Sequence, residues 1–113
     1  MVRPLEFPGG DIGKLAVCGT VNDLAVGGAT PLWLSCSVVI EEGFAFDRLR
    51  RIVETMRVTA AEAGVSIVTG DTKVVERGAA DGLFITTAGV GVFPPGRDLA
   101  ATHVRPGDVV LVN

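Results

Sequence analysis

The sequence predicts an α+β fold, a two-layer sandwich in which a mixed or antiparallel sheet carries helices on one face. Two patterns carry that prediction. Pro31 to Glu41 alternates apolar with mostly polar residues at a period of two, as a strand does. Phe46 to Ala63 repeats apolar residues at the spacing of one helix face. The flanking runs complete an order of strand, helix, strand, helix, strand, strand, which suits one sheet covered on one side. A chain of 113 residues, 48% hydrophobic and 20% charged, is one domain able to bury a core.

Taken in order, Val2 to Phe7 alternates apolar with charged or constrained residues and reads as a short edge strand because of Pro4. Pro8-Gly9-Gly10 breaks it. Asp11 reads as the N-cap of a helix running from Ile12 towards Ala25. Ile12, Leu15, Ala16 and Leu24 are expected to face the core, with Gly13 and Gly19 allowing close approach. Those glycines weaken the helix intrinsically, so packing must hold it. Gly27-Gly28 ends it. In the strand from Pro31, the apolar face is Leu32, Leu34, Cys36, Val38 and Ile40. The other face carries Trp33, Ser35, Ser37, Val39 and Glu41, and Trp33 there serves either another subunit or its own sheet.

In the second helix, Phe46, Leu49, Ile52, Val53, Met56, Ala60 and Ala63 form the expected buried stripe. Arg50 and Glu54 are spaced to pair, Gly64 terminates the helix, and Arg48, Arg50, Arg51 and Arg57 read as a solvated face. Val65 to Val68 reads as a buried strand and Ala80-Asp81-Gly82 as a turn. Leu83 to Phe93 reads as a long strand with a bend or bulge at Gly89 or Gly91, stopped by Pro94-Pro95-Gly96. A turn over Val104 to Asp108 precedes a last strand, Val109 to Val112.

Composition narrows the function classes. A net charge of −3 without a basic stripe argues against nucleic-acid binding. Cys18 and Cys36 are too few for a disulfide framework or a zinc site and read as buried thiols. His103 is the only histidine, which excludes a histidine cluster within the chain. No apolar run is long enough to span a membrane, and Met1-Val2-Arg3-Pro4 is not the start of a signal peptide. A reducing cytoplasm is the expected setting.

The chemistry-bearing stretch is Thr69-Gly70-Asp71-Thr72-Lys73-Val74-Val75, a carboxylate, a hydroxyl and an ammonium after the apolar run Val65 to Val68. It reads either as a polar turn between strands, with Asp71 capping backbone N–H groups, or as a site for a metal-bound phosphate. Gly9 to Lys14 lacks the spacing and hydroxyl of a phosphate loop and reads as a helix start. Asn22-Asp23 sits late in the first helix, where a carboxylate opposes the dipole at roughly 0.3–1 kcal/mol. A cation partner is one compensation and solvent the other. If Asp23 and Asp71 converge, they suit Mg²⁺, which takes few carboxylates and fills its shell with water and phosphate oxygens.

Together these motifs resemble a known family. Gly-Gly-Asp-Ile-Gly-Lys-Leu-Ala-Val at 9–17, Gly-Thr-Val-Asn-Asp-Leu-Ala-Val at 19–26, Glu-Glu-Gly-Phe at 41–44 and Thr-Gly-Asp-Thr-Lys-Val-Val at 69–75 are similar to the HypE hydrogenase maturation proteins. These belong to the superfamily of aminoimidazole ribonucleotide synthetase, selenophosphate synthetase and thiamine-monophosphate kinase. The Val-Asn-Asp element indicates the superfamily, and Thr-Gly-Asp-Thr-Lys-Val-Val narrows it to HypE. The resemblance implies a PurM-like N-terminal ATP-binding domain over residues 1–113, whose sheet pairs with a second copy to make a homodimer.

It also implies ATP-dependent dehydration of a carbamoyl group on a C-terminal cysteine to the thiocyanate that supplies cyanide to [NiFe] hydrogenase. Asp23 and Asp71 would be Mg²⁺–phosphate ligands, with Asn22, Gly70 and Thr72 against the nucleotide. Lys73 would neutralise phosphate or transfer a proton. The implied partners are ATP, the carbamoyltransferase HypF and the HypC–HypD iron scaffold. The family's upstream glycine- and aspartate-bearing segment and its C-terminal domain have no counterpart in the sequence. The expectation is therefore a fragment that does not complete the reaction alone. A non-catalytic dimerisation module and another ATP-using superfamily member, a small-molecule kinase or synthetase, are the alternatives.

Overall fold

Three strands and two helices build the body of the chain in a computed structural model that describes residues 2–110. Strands β1 (Glu6–Phe7) and β2 (Gly10–Asp11) precede helix α1 (Ile12–Val26). Then come β3 (Thr30–Glu41), α2 (Phe46–Glu62), β4 (Ser66–Val75), β5 (Leu83–Val92) and a 3-10 turn at Ala101–His103. The main sheet has the order β4-β3-β5, with β4 parallel and β5 antiparallel to β3. Both helices lie on one face, so the expected two-layer architecture with a mixed sheet holds.

The entry to α1 follows local chemistry. Pro8 and Gly9 (φ 94°) form the turn of a small hairpin that pairs Phe7 with Gly10 and Glu6 with Asp11. The expected strand from Val2 thus shrinks to Glu6–Phe7, and Gly10, expected to break it, is part of its partner. Asp11 caps α1 as anticipated, accepting the N–H groups of Gly13 at 2.8 Å and Lys14 at 3.0 Å, a bond worth about 0.5–2 kcal/mol. Gly28 (φ 89°) closes the helix, and the Ala29 N–H donates back to Leu24 O at 3.0 Å.

The core lies between the helices and the sheet. Val17, Leu34 and Ile52 are its fully buried side chains, joined by Met56, Ala60, Val65, Ile12 and Leu83, and each large one contributes roughly 1.5–3 kcal/mol. Helix orientation departs from the sequence expectation in α1. A Cβ on Gly13 would stand 2.6 Å from Ile52 O, so α1 turns this glycine onto α2 and buries Val17, leaving Leu15 44% exposed. Gly19 meets nothing within 4 Å and is not a close approach. The sheet side of α1 also carries a polar tie, in which Thr20 and Thr87 hydroxyls meet at 2.7 Å and Thr87 donates to Ala16 O.

In α2 the stripe narrows to Leu49, Ile52, Met56, Thr59 and Ala60. Phe46, Val53 and Ala63 are exposed, because α2 packs chiefly on α1 and leaves much of β4 uncovered. Glu54 pairs with Arg57 at 2.7 Å rather than with Arg50, whose guanidinium instead lies over the Phe46 ring. Arg48 and Arg51 reach Glu6.

The largest departure is β4. The expected buried strand over Val65 to Val68 is an exposed edge strand, Ser66–Val75, with only Val65 buried beside it. The bulge expected near Gly89 or Gly91 sits opposite Gly91, in β3 between Pro31 and Trp33. Val109 and Val110 are exposed and outside any strand, and Leu111–Val112 of that expected strand lies outside the described residues.

Candidate functional site

Alternation in β3 divides the sheet. Leu34, Cys36, Val38 and Ile40 pack into the core under the helices, as the sequence expects, so Ser35, Ser37, Val39 and Glu41 face the uncovered side. The register extends that open face across its neighbours. Ser37 pairs with Asp71 and with Thr86, Val39 pairs with Lys73 and with Phe84, and Ser35 pairs with Thr69 and with Ala88. Asp71, Ser37 and Thr86 therefore form one polar row across three strands, and Lys73 stands in the adjoining row. Rows of this kind bring side chains to roughly 5 Å of one another.

Gly70-Asp71-Thr72-Lys73 is thus neither a turn nor a loop at a strand exit. It is the middle of β4, paired with β3 in register. Alternation splits the motif. Asp71 and Lys73 share the open face, whereas Gly70 and Thr72, opposite Cys36 and Val38, belong to the helix side. Asp71 accepts the N–H of Thr72 at 2.9 Å and keeps the rest of its lone pairs for other partners. Gly70 has a steric reason to be glycine, since a Cβ there would lie 2.0 Å from Cys36 O.

Asn22 and Asp23 are exposed on the last turns of α1. The sheet lies between that layer and the face carrying Asp71, so one chain does not bring the two carboxylates together. Among the described residues no group of three or more His, Cys, Asp or Glu is placed to hold a metal. Lys14 donates to Gly9 O at 3.1 Å, part of the helix start. Cys18 and Cys36 are half-buried free thiols, and burial pushes the Cys36 thiol up. Ser37 and Thr86 are the site-face residues that the motif reading did not single out. The β3 alternation had placed Ser37 on this face, but pairing it with Asp71 needed the register.

The open face has an apolar end as well. Trp33, 50% exposed, pairs with Val90, 58% exposed, and Val92 is also exposed. One strand face thus runs from an apolar patch to a polar row and on to Glu41.

Residues 1–93 match the model of the AIR synthase related protein, N-terminal domain. The chain belongs to the AIR synthase related family. It is 70% identical over all 113 residues to carbamoyl dehydratase HypE of Rhodobacter capsulatus, covering 33% of that protein. The HypE of a solved HypE–HypF complex superposes with a TM-score of 0.91 at 56% identity, over 94% of this chain and 35% of that one. A HypE solved in complex with ATP gives 0.90 at 54% identity, over 94% of this chain and 32% of that one. This AIR synthase related chain spans about a third of the length of the curated relatives it matches. Thiamine monophosphate kinase from Aquifex aeolicus, 17% identical with a TM-score of 0.59, shares the fold.

Proposed function

We propose that the open sheet face carries half of a Mg–ATP site, in a protein that uses ATP to dehydrate a cysteine S-carboxamide to a thiocyanate for hydrogenase cyanide ligands. One observation supports this above the others. Asp71 shares its row with the Ser37 and Thr86 hydroxyls and its face with Lys73, in a chain 54% identical to a HypE solved with ATP. The donor set suits the nucleotide. Asp71 supplies one hard oxygen ligand for Mg²⁺, whose remaining positions go to water and phosphate, and Ser37 and Thr86 offer hydroxyls to either.

Bound Mg²⁺ would neutralise phosphate charge and fix the transferring group. Lys73 adds a second positive charge one row away, where it stabilises charge that builds on phosphate oxygens or moves a proton. In the reaction, phosphorylation of the carboxamide oxygen converts a poor leaving group into phosphate, and its loss with the nitrogen's protons leaves the nitrile. Asn22, Asp23, Gly70 and Thr72 belong to the family motif, in which Gly70 and Thr72, on the helix side of β4, shape the strand and do not touch a nucleotide on the open face. Asp23, across the sheet, joins Asp71 only if a second copy or further chain completes the site. HypF, found with HypE in the solved complex, is the proposed carbamoyl donor partner.

Calorimetric titration with a Mg–ATP analogue tests the half-site. Wild type should bind and Asp71→Ala should not, and absence of binding by both rejects the reading for this chain.

A second reading has its own observation. Trp33, Val90 and Val92 leave an apolar patch uncovered on the same face, which suits pairing with a second copy. Sedimentation of wild type against Trp33→Glu distinguishes the two. A dimer that Trp33→Glu dissociates, without nucleotide affinity in either, favours a dimerisation module.

A further inference from the structure

β3 ends on Glu41, where the end of β4 and the start of β5 meet. The Glu41 N–H donates to Gly82 O at 2.9 Å, and the Glu42 N–H donates to Val75 O at 2.9 Å. The Glu41 side chain adds two more bonds. Its Oε1 accepts the N–H of Gly78 at 2.5 Å and its Oε2 the N–H of Gly82 at 2.7 Å. Both glycines have positive φ, 85° and 81°, so the connection from Glu76 to Gly82 aims its amides at the carboxylate in a backbone that other residues rarely adopt. Arg3 pairs with Asp81 of the same connection. The Arg77 guanidinium packs on Gly43, 2.8 Å from where a Cβ would stand.

We propose that Glu41 is a positioning residue for the β4 face, its carboxylate latching residues 76–82 to the end of β3 and so holding the Lys73–Val75 end of β4 in register. The register gives the latch its reach. Glu41 pairs with Val75 and Val39 with Lys73, so Lys73 stands one open-face position from the latch. Charge is part of the device, because a carboxylate accepts at both oxygens, whereas a glutamine accepts at one and presents N–H donors at the other. The consequence for nucleotide binding rests on the reading of Asp71 and Lys73 above, but the latch itself does not.

Amide hydrogen exchange on Glu41→Gln against wild type tests it. Gly78 and Gly82 should exchange ten-fold faster or more, and the protected amides of Lys73–Val75 several-fold faster, with Leu34 and Val38 unchanged. Unaltered exchange at Gly78 and Gly82 overturns the latch. Faster exchange there with wild-type protection at Lys73–Val75 overturns the positioning role. Glu41→Asp, which keeps the charge but draws it back by one methylene, carries the same test if the glutamine variant does not fold. Titration of these variants with Mg–ATP separates the two readings. Equal affinity in wild type and Glu41→Gln rejects the consequence for the site. Absence of binding in wild type rejects the nucleotide reading and leaves the exchange data to decide the latch.

Discussion

Asp71 stands opposite Ser37 because the Ser66–Val75 stretch of β4 contains one residue more than the Trp33–Glu41 stretch of β3 that it pairs with. Leu34 faces Ile67, but Ser35 faces Thr69, so Val68 is an inserted residue. An insertion of one reverses which side chains face each way beyond it. Were Val68 paired with Ser35 instead of bulged, Asp71 would fall opposite Val38 and bring its charge to the helix side. The bulge turns Asp71 and Lys73 outward, and the close contact of Gly70 with Cys36 follows directly after it.

That contact makes Gly70 the most sterically constrained position of β4. Alanine there would place a methyl 2.0 Å from the Cys36 carbonyl oxygen, and backbone cannot yield as a flexible side chain does. Gly70→Ala should cost at least about 1–3 kcal/mol, the usual penalty of overpacking. Urea unfolding followed by circular dichroism reads it, and an unchanged midpoint would contradict the strand geometry.

Strand alternation separates two hydroxyls that the motif alone treats alike. Ser37 shares the open face with Asp71, while Thr72 faces the helix side. Ser37→Ala should therefore weaken Mg–ATP binding several-fold, whereas Thr72→Val should leave it within two-fold. The reverse pattern in calorimetry would show that β4 is flipped in solution.

Two glycines of α1 should respond in opposite directions. A methyl on Gly13 would meet Ile52 O at 2.6 Å and Met56 Cγ at 2.8 Å, so Gly13→Ala pushes α1 off α2 and should destabilise by about 1–3 kcal/mol. Gly19 has nothing within 4 Å. Gly19→Ala should stabilise by about 0.8–1 kcal/mol through helix propensity. Thermal denaturation of both variants reads the contrast, and equal shifts would count against it.

Stability should depend on pH through Glu41. Its carboxyl is held below the usual carboxylate range, first by the Gly78 bond and then by the Gly82 bond, with Arg77 and Arg3 adding to them against a desolvation that opposes. A lowered folded-state value means a contribution fully present above the unfolded carboxylate range and lost as pH falls through the folded value. Wild type should exceed Glu41→Gln in stability at neutral pH, and that margin should shrink as the solution is acidified through the carboxylate range. A margin that grows on acidification would assign the shift to another group.

Residue order alone specifies the sandwich, the cap at Asp11, the apolar face of β3 and the core of α2 around Ile52, Met56 and Ala60. These depend on contacts near in the chain and on periods of two and 3.6, which one strand or one helix expresses alone. It also carries the family motif around Asp71. Where that motif points follows from strand pairing. Val65 to Val75 looks the same in sequence whether β4 is buried or at an edge, and whether Val68 is paired or bulged, because both depend on β3. The rotation of α1 onto Gly13 and Val17 likewise needed α2 in place. Asp71 and Lys73 thus owe their chemistry to local sequence, and their shared open face to a one-residue register shift set by a partner strand more than thirty residues away.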